Sequence, residues 1–169
     1  VTASALDKTY DGTTVATGNL STVNVIGQDH VQLSWGPVAF ASKDVSRDAQ
    51  GQVQAQVVNF AGVQLSGLDA GNYSVNSTAL SRAKITPKLL SASGTSVANK
   101  SQDGNTQASA QMGSLSGLVG SEQLQAQALA SFDSAVPSSN KPVTVRYRLA
   151  DGVNGGLVGN YELLSQVLS

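Results

Sequence analysis

The chain has 169 residues, of which 12% are charged and 40% hydrophobic, and its formal net charge is −1 at pH 7. So small a charge gives no long-range field to steer a polyanion, which sets nucleic acid aside as a partner. With no cysteine there is neither a disulfide framework nor a thiolate metal site, so packing of β-structure has to supply the stability.

The longest apolar runs, such as Val57-Val58 and Leu89-Leu90, fall far short of the ~20 residues that cross a bilayer, and no membrane insertion is expected. A start at Val1, with no Met and no basic or apolar leader, is what a piece of a longer polypeptide would show. The first landmark is Lys8-Thr9-Tyr10-Asp11-Gly12-Thr13, a turn around Asp11-Gly12 whose Tyr10 is expected to pack on a sheet. Val31-Gln32-Leu33-Ser34-Trp35 alternates with a period of two, predicting a half-buried strand that ends at the Gly36-Pro37 turn. Val53-Gln54-Ala55-Gln56-Val57 predicts another.

The segment Asp69-Ala70-Gly71-Asn72-Tyr73 has the composition of a corner. Gly71 would supply a positive φ, Asp69 and Asn72 side-chain bonds to backbone, and Tyr73 would lead into a strand with Ser74 and Val75. The Tyr73 hydroxyl is expected to bond back to nearby backbone, as in the tyrosine corner of sandwich domains. Further on, Pro87 in Ile85-Thr86-Pro87-Lys88 interrupts strand pairing and marks a boundary.

Past that boundary the landmarks return in the same order. Lys100-Ser101-Gln102-Asp103-Gly104-Asn105 echoes residues 8–13, Phe132 follows Asp103 at the spacing by which Phe40 follows Asp11, and Gly159-Asn160-Tyr161 echoes Gly71-Asn72-Tyr73. Gly27 and Asp29 find partners in Gly120 and Glu122. Residues 121–129 are rich in helix formers, but their counterpart in the first copy reads as a strand, so both are taken as strands. Val143-Thr144-Val145-Arg146-Tyr147 alternates cleanly and leads to the Asp151-Gly152 turn. Two small mostly-β domains are therefore expected, 1–87 and 88–169, as an immunoglobulin-like sandwich or, alternatively, a β-grasp-like arrangement.

The candidate sites are weighed against their structural readings. Lys8, Tyr10 and Asp11 lie close together, but Gln102 stands where a second Tyr would be, so a turn accounts for them better than a catalytic pair. Likewise Asp11-Gly12, Asp103-Gly104 and the Gly-Asn-Tyr triplets 71–73 and 159–161 read as structural motifs, with presentation of Tyr73 to a sugar as the alternative. His30 is the only histidine, with no nucleophile motif beside it. Asp7, Asp11, Asp29, Asp44, Asp48 and Asp69 are scattered without calcium-loop spacing. No cofactor is expected, calcium held across a loop cluster being the remaining alternative. The glycine-bearing stretches 113–120 and 152–159 lack a phosphate-loop pattern and read as loops. Trp35, Phe40, Phe60 and Phe132 are expected to be large core residues.

Residues 8–13, Gly27-Gln28-Asp29, residues 40–45, 65–73 and 83–88, in that order, resemble the YDG-type repeats of large secreted bacterial adhesins and haemagglutinin-like proteins, typically exported by two-partner secretion. The second copy is a degenerate version. The resemblance implies an extracellular repeat with no catalytic residues, used as a stalk or spacer that supports cell adhesion or biofilm. Its implied partners are neighbouring repeats of the same polypeptide. A rival reading is a binding module whose second-repeat loops hold extracellular polysaccharide or a host or matrix protein.

Overall fold

The computed structural model describes residues 1–168. It is mostly β and divides into two compact units, Val1–Thr86 and the residues from Pro87 onward. The helical segments among the described residues are two single 3-10 turns, Ala70–Asn72 and Val158–Asn160.

The first unit holds β1 (Thr2–Ala5), β2 (Lys8–Thr9), β3 (Gly18–Ser21), β4 (Gln32–Ser34), β5 (Val38–Phe40), β6 (Gln56–Ala61), β7 (Gln64–Ser66), β8 (Thr78–Ala83) and β9 (Ile85–Thr86). Antiparallel β5-β6-β8 is the main sheet, flanked by the pairs β1-β3 and β4-β7. One pair is parallel: Lys8 of β2 stands beside Ile85 of β9, and Thr9 beside Thr86. Tyr10, Leu20, Phe40, Val58, Phe60, Val63, Ala83 and Ile85 form the core.

The second unit holds β10 (Lys88–Ser93), β11 (Ser96–Val97), β12 (Gln107–Ala108), β13 (Ala110–Gln111), β14 (Ser114–Ser116), β15 (Leu124–Phe132), β16 (Val143–Asp151), β17 (Tyr161–Leu163) and β18 (Gln166–Leu168). A long β15-β16 hairpin, extended by β12 and β18, is its main sheet. β10 runs antiparallel to β14 and parallel to β17. Leu90, Ala128, Val143, Val145 and Tyr161 are buried. Residues 121–129, despite their helix formers, contribute most of β15, because alternate side chains of that run face the sheet interior. Parallel pairs in both units are the element that an expectation of antiparallel sandwich packing did not contain.

Three local expectations need correction. The alternation read from Val53 to Val57 changes phase: Val53 forms only a lone bridge to Arg47, and β6 buries Gln56, Val58 and Phe60. Gln56 is accepted inside because its amide donates to the Asp44 carbonyl at 2.5 Å, so no polar group is left unpaired. Tyr73, Ser74 and Val75 lie outside any strand, whereas their counterparts form β17. Finally, Phe40 and Phe60 are buried, but Trp35 and Phe132 are only half-buried, each lining a surface groove.

Candidate functional site: turn clamps and tyrosine anchors

The signature segment folds into a lysine-clamped turn. Asp11 Oδ1 accepts the Thr13 N–H at 2.9 Å and the Thr13 hydroxyl at 2.9 Å, while Gly12 takes φ +79°, a region closed to most side chains. Over this turn lies the Lys8 ammonium, which donates to Asp11 Oδ1 at 2.7 Å and to the carbonyls of Thr13 and Val15 at 2.8 and 2.9 Å. The second copy repeats the device. Lys100 donates to Asp103 Oδ1 at 2.7 Å and to the Asn105 carbonyl at 2.9 Å, Asp103 caps the Asn105 N–H at 3.1 Å, and Gly104 has φ +81°. The Asn105 side chain accepts from Lys100 at 2.8 Å, where the Thr13 hydroxyl accepts from Lys8 at 3.2 Å.

Both aspartates respond electrostatically. Desolvation pushes the Asp11 carboxyl up, but the Lys8 ammonium and the Thr13 donors outweigh it and hold the group below its usual range. The Lys100 ammonium and the Asn105 N–H do the same to Asp103. A carboxylate neutralised in this way is a poor general base, and its lysine is a poor nucleophile.

Tyr10 differs from its counterpart. Its ring is 1% exposed, and its hydroxyl accepts from Lys43 Nζ at 3.1 Å. Lys43 also pairs with Asp44 at 2.9 Å and lies 5.5 Å from the Tyr10 ring centroid. The Asp44 carboxylate, with help from the Tyr10 hydroxyl, holds the Lys43 ammonium well above the ordinary lysine range. In the second copy Gln102 replaces Tyr10 and is exposed.

The Gly-Asn-Tyr corners build a second shared device. Tyr73 Oη donates to Asp29 Oδ2 at 2.6 Å and accepts the Ile26 N–H at 3.0 Å. Tyr161 Oη donates to Glu122 Oε2 at 2.6 Å and accepts the Val119 N–H at 3.0 Å. The hydroxyl thus ties down a distant loop, 47 residues upstream for Tyr73, rather than neighbouring backbone as expected. The Asp29 carboxylate raises the Tyr73 hydroxyl above the usual phenol range. The carboxylate partners went unassigned in the sequence, although an acid stands two residues past Gly27 and past Gly120.

The corner glycines depart from expectation too. Gly71 and Gly159 sit inside the 3-10 turns without positive φ, and nothing in the structure explains glycine there. The spatial demand falls elsewhere: a Cβ at Gly67 would strike the His30 carbonyl, and one at Gly152 the Gln123 carbonyl. His30 is exposed, and its N–H donates to Asp69 Oδ2 at 2.8 Å. Among the described residues no group of three or more His, Asp or Glu is placed to hold a metal ion.

A groove of about 690 Å³ opens in the second unit between residues 95–105, the 133–142 loop and Leu168. It is floored by Phe132, Val143 and Val97. Its two lysines are occupied, Lys100 with Asp103 and Lys141 with Ser134 Oγ, the Val136 carbonyl and Asp133.

No curated protein and no solved structure matches the chain. The family model of the YDG domain matches it twice, over residues 1–80 and 86–167. The clamped Asp-Gly turn and the tyrosine anchor recur in both matched stretches, and the chain belongs to the YDG domain family as two tandem copies.

Proposed function

We propose that the chain is a non-enzymatic structural spacer, a pair of repeats from the stalk of an extracellular bacterial adhesin of the two-partner secretion type, supporting cell adhesion or biofilm. One observation carries this reading. In both copies the ionisable side chains of the signature segments are engaged in holding backbone, Lys8 and Lys100 over turns and Tyr73 and Tyr161 over loops. The low charge, the absence of cysteine and the repetition itself suit a module used many times in one exported chain.

Two experiments test it. Pulled between handles in a force spectrometer, the chain should give two separate unfolding events, each releasing roughly 280 Å of contour at about 3.4 Å per residue. An antibody against the chain should label intact cells of the organism that encodes it. Extension without force peaks, or label confined to lysed cells, would overturn the proposal.

A further inference from the structure

The two ends of the first unit are fastened to each other. β1 pairs antiparallel with β3, and after Leu6 and Asp7 the same run of chain, now as β2, lies parallel to β9, the strand by which the chain leaves the unit at Thr86. The Lys8 N–H donates to the Lys84 carbonyl at 3.0 Å and the Tyr10 N–H to the Thr86 carbonyl at 2.9 Å. Two side chains add to this short ladder: Asp7 Oδ1 accepts the Lys84 N–H at 2.6 Å, and the Thr86 hydroxyl donates to the Lys8 carbonyl at 3.3 Å. On the inner side Tyr10 and Ile85 are fully buried, and their packing keys the two strands against sliding.

The direction of this pair decides how it meets tension. When the unit is drawn out along the chain, β2 is pulled towards its N-terminal end and β9 towards its C-terminal end. Were the two strands antiparallel, both pulls would act at one end of the ladder and its bonds would open one after another. Because they are parallel, the pulls oppose each other along the strand axes, so all the bonds are loaded at once and have to break together.

We infer that the β2-β9 pair is a mechanical clamp, the element that sets how long the first repeat survives under tension along the chain. The inference deepens the spacer reading and rests on it for the source of the tension. Forced unfolding is governed by the unfolding barrier rather than by equilibrium stability, so a few bonds that break in that barrier outweigh many that break later. Little slack separates the clamp from the next strand. Pro87 alone stands between β9 and β10, and β10 is again bound in parallel, with Lys88 beside Tyr161 and Leu90 beside Leu163 of β17. The parallel pairs, absent from a plain antiparallel sandwich, thus lie where load enters or leaves a repeat.

The test pulls the full chain at constant force in two directions. The sequence has no cysteine, so introduced thiols define the handles uniquely. One geometry uses the two ends of the chain. The other moves the first handle to Thr14→Cys, an exposed position past the turn that follows β2, so that β2 and β9 are drawn apart from one end. The second repeat is loaded alike in both and serves as the reference, while the first is recognised in the second geometry by its shorter contour. The first repeat should unfold at least about tenfold more slowly from the chain ends than from Thr14, the ratio for one more ordinary hydrogen bond broken in the barrier. Asp7→Ala should speed unfolding from the ends about tenfold and leave the rate from Thr14 unchanged, which a merely structural loss would not do. Equal rates in the two directions, or an Asp7→Ala effect of the same size in both, would overturn the clamp. Force peaks that persist with equal rates would leave the spacer reading standing, whereas label confined to lysed cells would remove that reading and not the clamp.

Discussion

Where the first repeat buries Tyr10 and Phe60, the second carries Gln102 and Val145, yet the two share the clamped turn and the tyrosine anchor almost bond for bond. Among the described residues, three of the eight apolar side chains buried in the first unit are aromatic, Tyr10, Phe40 and Phe60, against Tyr161 alone of the five in the second. One exchange is compensated locally. Gly18 leaves room for the Phe60 ring and for the Ser4 carbonyl, since a Cβ there would come within 2.5 Å of each; Ala110 stands at the matching place, where the smaller Val145 replaces the ring. The comparison teaches that polar turn chemistry fixes the path of the chain, while the core tolerates substitution as long as volumes balance.

The sharpest way to break this comparison is to remove a ring from the first repeat. Phe60→Ala should cost that repeat about 3–5 kcal/mol, the usual loss for a large buried aromatic. Urea unfolding followed by Trp35 fluorescence reads it cleanly, because the only tryptophan lies in the first unit. An effect below about 1 kcal/mol would mean that the aromatic core does not distinguish the repeats.

Next in size is the compensation itself. Gly18→Ala should destabilise the first repeat by about 1–3 kcal/mol through overpacking. In the Gly18→Ala/Phe60→Val double variant the two losses should fall short of adding, by at least about 0.5 kcal/mol. Strict additivity would refute the volume exchange.

The tyrosine anchors sharpen the comparison from the other side. Tyr161 is buried and Tyr73 is half-exposed, so Tyr161→Phe should cost about 1–2 kcal/mol by removing the hydroxyl that bonds both Glu122 and the Val119 N–H, and Tyr73→Phe should cost less. Equal losses in thermal melts would show that burial does not set the worth of the bond.

Smallest are the clamps, where acid should affect both repeats alike. Asp11 and Asp103 titrate below their unfolded value of about 3.9. Their contribution is therefore complete above that value and disappears as pH falls through the lower folded one. Melting temperatures taken from pH 6 down to 2.5 should drop at the acid end. Asp11→Asn should flatten the drop in the first repeat and Asp103→Asn in the second; unchanged acid limbs would count against the clamps.

Much of this was legible in the sequence because it is local. Asp11-Gly12 and Asp103-Gly104 announce turns through one carboxylate and one positive φ, which depend on residues two or three apart. The strand character of residues 121–129 followed from the repeat itself, against their helix propensity. The partners of Tyr73 and Tyr161 were not legible, since a hydroxyl gives no sign of which distant acid it will meet. Nor was the phase change at Gln56, where burial of Val58 and Phe60 overrides the alternation begun at Val53.

The sequence by itself determined that there are two copies, that both are built from short strands, and where their turns lie, because periodicity and turn chemistry are properties of neighbouring residues. Only the tertiary structure decided which strands run parallel, which aromatic rings are covered, and which distant acid each corner tyrosine meets. Those outcomes rest on contacts between residues some eighty positions apart, such as Lys8 with Ile85, and no local pattern encodes them.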